Sequence, residues 1–258
     1  MMTKKQDRNF DGMAQKFQRN IYQTTKGQLR QQVLLRDLLA LPELQQPQRI
    51  LDVGAGQGQM ALELARHGHQ LLLTDISASM LQIAAEQAGQ AGLGDRIQCQ
   101  QSSLQQLSEQ QPRFPVVLCH AMLEWLAEPE QAISQLRQLI EPGGILSLMF
   151  YNLDAKRFGN LLYGNFDYVA AGLAQRKTVP LSPQHPLSPS EVLAWCESAG
   201  FELLSKTGVR CFHDYLRQPS MQQSHFAELL ALELQYNRQE PYASLGKYIH
   251  LVVRAPRS

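Results

Sequence analysis

The sequence predicts an α/β fold: a doubly wound, mostly parallel, seven-stranded sheet, with N-terminal helices ahead of it and an insertion after the fifth strand. Three observations predict this. Short apolar runs alternate with helix-periodic segments between residues 49 and 150, an order that gives parallel strands joined by crossover helices on both faces. The first run ends in Gly54-Ala55-Gly56-Gln57-Gly58, where a doubly wound sheet turns into its first helix and a ligand comes close to bare backbone. Asp75 then follows by about the 20 residues that separate such glycines from a ribose-binding acid.

Each element has its own signal. Phe10 to Leu41 carries apolar residues at Met13, Phe17, Ile21, Leu29, Val33, Leu34 and Leu38. That spacing predicts two helices, with a bend at Thr24-Thr25-Lys26-Gly27. Pro42 and Pro47 end them, so residues 1–47 are expected to form an extension and 48–258 the main domain. Arg49 to Val53 predicts the first strand and Met60 to His67 the first crossover helix. His69 to Asp75, with Leu71-Leu72-Leu73, predicts a strand buried on both faces. Ala78 to Ala88 predicts a helix capped by Ser77. Ile97 to Ser102 and Val116 to Cys119 give strands three and four, Pro129 to Ile140 a helix, and Gly144 to Phe150 strand five after the Pro142-Gly143-Gly144 turn. From about 151 to 189 the pattern turns aromatic, basic and proline-containing, which predicts an insertion over the C-terminal edge of the sheet. Pro189 to Ala199 and Met221 to Tyr236 predict helices, and Phe201 to Phe212 and Tyr248 to Val253 the last strands.

Hydrophobic residues make up 44% and charged residues 18% of the chain, which predicts a folded globular protein. No apolar run reaches the roughly 20 residues of a membrane span, and the polar start lacks an apolar leader, so a cytoplasmic location is expected. Cys99, Cys119, Cys196 and Cys211 show no CxxC pair, which predicts buried free thiols, with no metal site and no disulfide framework. The net charge of +1 hides an uneven distribution. Residues 1–36 hold eight Lys/Arg against two acids, and residues 37–150 five against twelve. Basic flanks around an acidic centre suit contact with an anion.

The loop pattern separates two classes of cofactor. A dinucleotide fingerprint reads GxGxxG and seats a pyrophosphate, whereas this chain reads GxGxG, with Gln59 at the last glycine position. S-adenosylmethionine instead carries an amino acid, whose ammonium suits loop carbonyls and an acid such as Asp52, and whose carboxylate suits an arginine. Over roughly residues 48–150 the chain resembles the class I S-adenosylmethionine-dependent methyltransferases, of Rossmann-like fold. The flanks are more specific. Asp7 to Asp11, Ile21 to Arg30, His120 to Trp125, Leu148 to Asn152, Gly164 to Tyr168, Lys206 to Arg210 and Arg238 to Tyr242 resemble the tRNA 5-carboxymethoxyuridine methyltransferases nearly end to end.

That resemblance implies methyl transfer from S-adenosylmethionine to the carboxylate of 5-carboxymethoxyuridine at the tRNA wobble position, with the anticodon stem-loop as partner. It implies cofactor contacts at Arg30, Gly54, Ala55, Asp75, Leu104, Gln105 and His120. Arg30 is expected at the methionyl carboxylate, Asp75 at the ribose, and Leu104 and Gln105 beside the adenine. Ser102 and Ser103 stand where many class I enzymes carry an adenine-side acid. A carboxylic acid with a reference pKa near 4 is already ionised at pH 7, so no base is needed and catalysis is expected to rest on positioning, with His120 as an orienter. Arg210 and Arg176 are the expected cations for the substrate carboxylate. Tyr151 and Tyr168, with Tyr163 and Phe166, are expected to stack on an extruded base. Lys4, Lys5, Arg8, Lys16, Arg19, Arg157 and Lys177 are candidates for phosphate contacts. The alternative is a methyltransferase acting on a small-molecule carboxylate.

Overall fold

The computed structural model describes residues 24–173 and 185–257. Helix α1 (Thr25–Leu39) leads into strand β1 (Arg49–Val53), helix α2 (Gln59–Arg66), β2 (Gln70–Asp75), α3 (Ala78–Gln90), β3 (Ile97–Gln101), α4 (Leu104–Gln110), β4 (Phe114–His120), α5 (Pro129–Gln138) and β5 (Ile140–Tyr151). Helices α6 (Leu153–Leu162) and α7 (Phe166–Ala170) follow. The chain then forms α8 (Pro189–Ser198), β6 (Glu202–Val209), α9 (Met221–Ser224), α10 (Phe226–Tyr236), α11 (Tyr242–Leu245) and β7 (Tyr248–Arg254). The expected first helix, and with it Lys4, Lys5, Arg8, Lys16 and Arg19, lies outside the described residues, as do Arg176 and Lys177.

The strand order is β3-β2-β1-β4-β5-β7-β6. β1 to β5 run parallel, and β7 enters antiparallel between β5 and β6. Because side chains alternate along a strand, the sheet builds two cores. Leu51 and Val53 of β1 pack with Leu107 of α4, Ile133 of α5 and Val192 of α8 on one face. Ile50 packs on the other with Leu29, Val33 and Leu38 of α1, Leu64 of α2 and Ala84 of α3. The sequence returns from β3 on one side of β1 to β4 on the other, so a crevice opens at the C-terminal ends of β1 and β4, where such sheets bind ligands.

Most expected boundaries hold within a few residues, and Ser77 caps α3 by accepting a hydrogen bond from the Met80 N–H at 3.3 Å. Several expectations are corrected. Strand five starts at Ile140, earlier than expected, and Pro142-Gly143-Gly144 persists as a break inside it: the pairing with β4 jumps from Ile140 to Ile145, with Gly143 at a φ of 74°. The single helix expected over residues 221–236 breaks at His225, whose φ of −124° lies outside the helical range. Cys99 is exposed, because β3 is an edge strand, whereas Cys119, Cys196 and Cys211 are buried.

Candidate functional site

The glycine turn is stitched to the end of β2. The N–H groups of Gly54 and Ala55 both donate to the Thr74 carbonyl, at 2.8 and 3.0 Å. The N–H of Gly56 donates to Asp75 Oδ2 at 2.9 Å, and that of Ser77 to Oδ1 at 2.8 Å. Gly54, Gly56 and Gly58 have φ of 69°, 56° and 71°, a region that strongly favours glycine. A Cβ on Gly54 would meet Met122 Sδ at 2.8 Å, and one on Gly58 would meet Leu73 Cδ2 at 2.8 Å. At both positions the backbone angle disfavours a side chain, and a Cβ would also have to displace the end of a neighbouring side chain.

Above this turn lies a cavity of about 460 Å³. Arg30, Gly54, Ala55, Asp75, Leu104, Gln105 and His120, gathered from five separate elements or turns, all line it. α1 brings Arg30 over the crevice because the adjoining face of the helix, Leu29 and Val33, is locked into the core. Gln105 sits on α4, a helix that the strand-and-loop reading of this region did not anticipate. Ser103 starts that helix with a capping box, accepting from the Gln106 N–H at 3.2 Å while Gln106 Oε1 accepts from the Ser103 N–H at 2.9 Å. With that hydroxyl committed to the cap, the wall after β3 presents Ser102, Ser103 and Gln105 and no carboxylate.

Asp52, Glu124 and Glu128 also line the cavity, and the first two are buried. Asp52, at the end of β1, is 4% exposed, and burial together with Asp75 pushes its pKa up to about 7. Glu124 is completely buried, and burial pushes its pKa to about 7, opposed by nearby backbone N–H groups and Arg30. Neither Glu124 carboxylate oxygen closes a hydrogen bond with a described residue, although the N–H groups of Glu124 itself and Tyr151 lie close enough to favour the charged form. A buried carboxylate left this way gains strongly from a cation or an N–H donor. Glu124 belongs to the His120 to Trp125 string singled out in the sequence, but an isolated acid gives no local sign that it turns inward.

A chain of contacts runs from His120 along the same face of the sheet to α1. Its Nε2 lies 2.8 Å from Ser147 Oγ, which lies 2.7 Å from His250 Nε2, and His250 Nδ1 lies 2.9 Å from Asp37 Oδ2. Asp37 also accepts from Arg36 and Arg238. Burial, His250 and Arg30 hold His120 well below the usual imidazole range, so its ring is neutral. Ser147 has one proton to give between two nitrogens, so the His120 and His250 tautomers are linked. When His250 carries only its Nδ1 proton, Ser147 donates to it and His120 donates to Ser147. His120 then offers Nδ1 as an acceptor.

The other expected substrate contacts fall differently. Arg210 does not line the cavity; its Nε and Nη2 donate to Asp214 at 2.7 and 2.6 Å, and it stacks 5.7 Å behind the Tyr248 ring. Tyr151 is buried against Tyr248, with ring centroids 5.5 Å apart. Tyr168 lies beside Lys156, whose Nζ is 5.8 Å from its ring centroid. Arg157 pairs with Asp154 on the surface. Tyr163 and Phe166 are 73% and 65% exposed, so they are available for stacking rather than built into a core.

A family model described as "Methyltransferase domain" matches residues 50–144. The chain is 46% identical over 256 residues to the tRNA 5-carboxymethoxyuridine methyltransferase of Escherichia coli (strain K12), covering 98% of each chain. It is 32% identical over 160 residues to the ubiquinone biosynthesis O-methyltransferase of Coxiella burnetii (strain RSA 493 / Nine Mile phase I), covering 62% of this chain and 66% of that one. Among solved structures it resembles the magnesium protoporphyrin IX methyltransferase of Synechocystis PCC 6803 with bound SAH, at a TM-score of 0.65 and 15% identity, covering 95% and 96% of the two chains. It also resembles the [4+2]-cyclase SpnF, at a TM-score of 0.58 and 24% identity, covering 87% and 80%. At those identities the structures speak for the fold alone.

Proposed function

Because this chain belongs to the tRNA 5-carboxymethoxyuridine methyltransferase family, we propose that it esterifies the carboxylate of 5-carboxymethoxyuridine at the wobble position of tRNA, using S-adenosylmethionine as methyl donor. The observation that carries this reading is a relative aligned over 98% of both chains, where the ubiquinone-pathway relative aligns over 62% of this one. Similarity extends through the flanks outside the residues that the general methyltransferase model matches.

The cavity suits S-adenosylmethionine by the chemistry of its donor set. Asp75 has both oxygens aimed by the Gly56 and Ser77 N–H groups and keeps lone pairs for the two ribose hydroxyls. Arg30 would meet the methionyl carboxylate, and Asp52 its ammonium, which would relieve the burial of that acid. Leu104 and Gln105 would border the adenine, and Gly54 and Ala55 line the turn below. Bound there, the cofactor supplies an electrophilic methyl group. The protein has no proton to remove from a nucleophile that is ionised at neutral pH, and its task is to align the carboxylate and exclude water. His120 is an orienter in this scheme, its tautomer set through Ser147 and His250. The exposed Tyr163 and Phe166 offer faces for unstacked anticodon bases, a contact that tolerates different sequences.

The purified protein, labelled cofactor and tRNA from a strain lacking this activity should yield the methyl ester by nucleoside mass spectrometry. Incorporation into small carboxylic acids but not into tRNA would reject the RNA substrate. Asp75→Ala should weaken adenosylhomocysteine binding about ten- to a hundredfold by calorimetry, the loss expected for charge-assisted hydrogen bonds. An unaltered affinity would remove Asp75 from the cofactor site.

A further inference from the structure

Beside the cavity, the turn before β7, the first turn of α1 and the middle of α6 bring together more cations than the structure neutralises. Lys247 lies within electrostatic reach of Arg210, Lys26 and Lys156, and of the Asp214 carboxylate. That carboxylate is already taken by both nitrogens of the Arg210 fork. Lys247 Nζ sits 5.5 Å over the Tyr151 ring, and Lys156 Nζ 5.8 Å over the Tyr168 ring. Neither ammonium forms an ion pair or hydrogen bond with a described residue. Lys156 is only 7% exposed and Lys247 is half-buried.

The arrangement is built rather than incidental. Asn152, fully buried, donates from Nδ2 to the carbonyls of Ser244 and Gly246, each at 2.9 Å, and its backbone N–H donates to the Lys247 carbonyl at 3.2 Å. The same residue caps α6, the helix that carries Lys156 one turn later. One asparagine therefore fixes both lysines relative to each other. The cluster adjoins the cavity through Tyr248, which lines it and touches Tyr151, and through Gly27, which lines it next to Lys26.

Partly buried ammonium groups without an anion are costly unless a ligand provides one. We propose that Lys247 and Lys156 form the receptor for the carboxylate of the substrate base. In this arrangement Tyr151 and Tyr168 support the two ammonium groups, and Arg210 acts from behind by holding Tyr248 and occupying Asp214. The inference rests on the functional reading above and names the specificity element within it. A lysine is a point charge with rotatable donors. It can hold one carboxylate oxygen while leaving the other to attack, where a bidentate arginine would engage both.

The test compares two forms of the same tRNA, one with 5-carboxymethoxyuridine and one with 5-methoxyuridine, which lacks the carboxylate, each bound in the presence of adenosylhomocysteine. The wild type is expected to prefer the carboxylate form by about ten- to a hundredfold, and Lys247→Met to abolish the preference by weakening that form alone. Lys247→Arg should restore much of the preference. Lys156→Met, on a separate helix, should reduce it independently. Adenosylhomocysteine affinity reports on folding in every variant. Equal weakening of both tRNAs would assign the lysines to phosphate and overturn the proposal, as would no preference in the wild type or an undiminished preference in both methionine variants. If the wild type makes no ester in tRNA, the functional reading itself fails. Ester formation that survives both methionine variants at full rate would sink only the carboxylate receptor.

Discussion

Asp37→Ala is expected to destabilise the protein by about 3 to 5 kcal/mol, the range for removing one partner of a buried charge network. The Asp37 side chain is completely enclosed and holds four donors: Arg36 Nε and Nη2, Arg238 Nη2 and His250 Nδ1, at 2.7 to 2.9 Å. Without the carboxylate, the His250 ring stays buried with no acceptor on Nδ1, and two guanidinium groups face each other. Arg36 also donates to the Leu234 carbonyl and Asn237 Oδ1, so the loss loosens α1 from the end of α10. The effect has a pH signature. Burial alone would raise the Asp37 pKa, but His250 and Arg36 hold it well below the usual carboxylate range. Its contribution is therefore fully present above the unfolded-state value of about 4 and is lost as pH falls below it. Urea titrations between pH 3 and 7 should show a difference between wild type and variant that shrinks on acidification. A difference below about 1 kcal/mol at pH 7 would mean that the network carries little of the stability.

Glu124→Gln should do the opposite. The folded-state pKa of Glu124 is raised to about 7, so the unfolded chain gives up this proton first as pH rises. The contribution of Glu124 to stability without cofactor is then most favourable below about pH 4, falls between about 4 and 7, and levels off above that. A glutamine cannot ionise. The variant should gain up to about 3 kcal/mol at pH 8, the equivalent of a shift of two to three pKa units, and gain little at pH 5. Asp52, raised in the same direction, keeps part of the slope in the variant. Melting temperatures of both proteins across pH 5 to 8 would check this; parallel curves would show that Glu124 does not bear the burial penalty. The same substitution removes a negative wall of the cavity, so weaker adenosylhomocysteine binding is expected alongside the gain in stability.

The sequence made some of this legible and hid the rest for identifiable reasons. β1, β2, β4 and β5 are dense apolar runs, and strands covered on both faces have few other ways to read. The turn at Gly54 to Gly58 and Asp75 could be paired because their spacing is local to one βαβ unit. α4 was missed because Leu104 and Leu107 are its main apolar anchors among glutamines, a pattern that fits a loop as well as a helix. The position of β7 between β5 and β6 was hidden because pairing across a hundred residues leaves no local trace. Lys156 and Lys247 were passed over for the same reason. Each is an ordinary surface lysine by its neighbours in sequence, and only the Asn152 tether makes them a pair. Arg210 stood out in a family-specific string, yet its partner Asp214 lies one turn away and absorbs it.

The reversal of the last strand bears on how the molecule comes into being. β6 leaves the ribosome before β7, the strand it must lie against, so it waits as an open edge beside an equally open β5. Only when Tyr248 to Arg254 emerges does the sheet close across its widest sequence gap, a slow kind of step that exposes unpaired backbone meanwhile. The same arrival delivers His250 between Ser147 and Asp37, and Tyr248 to the rim of the crevice. Maturation of the binding chamber is thereby coupled to the arrival of β7, and a chain stalled short of this strand would carry the glycine turn without a finished ligand chamber.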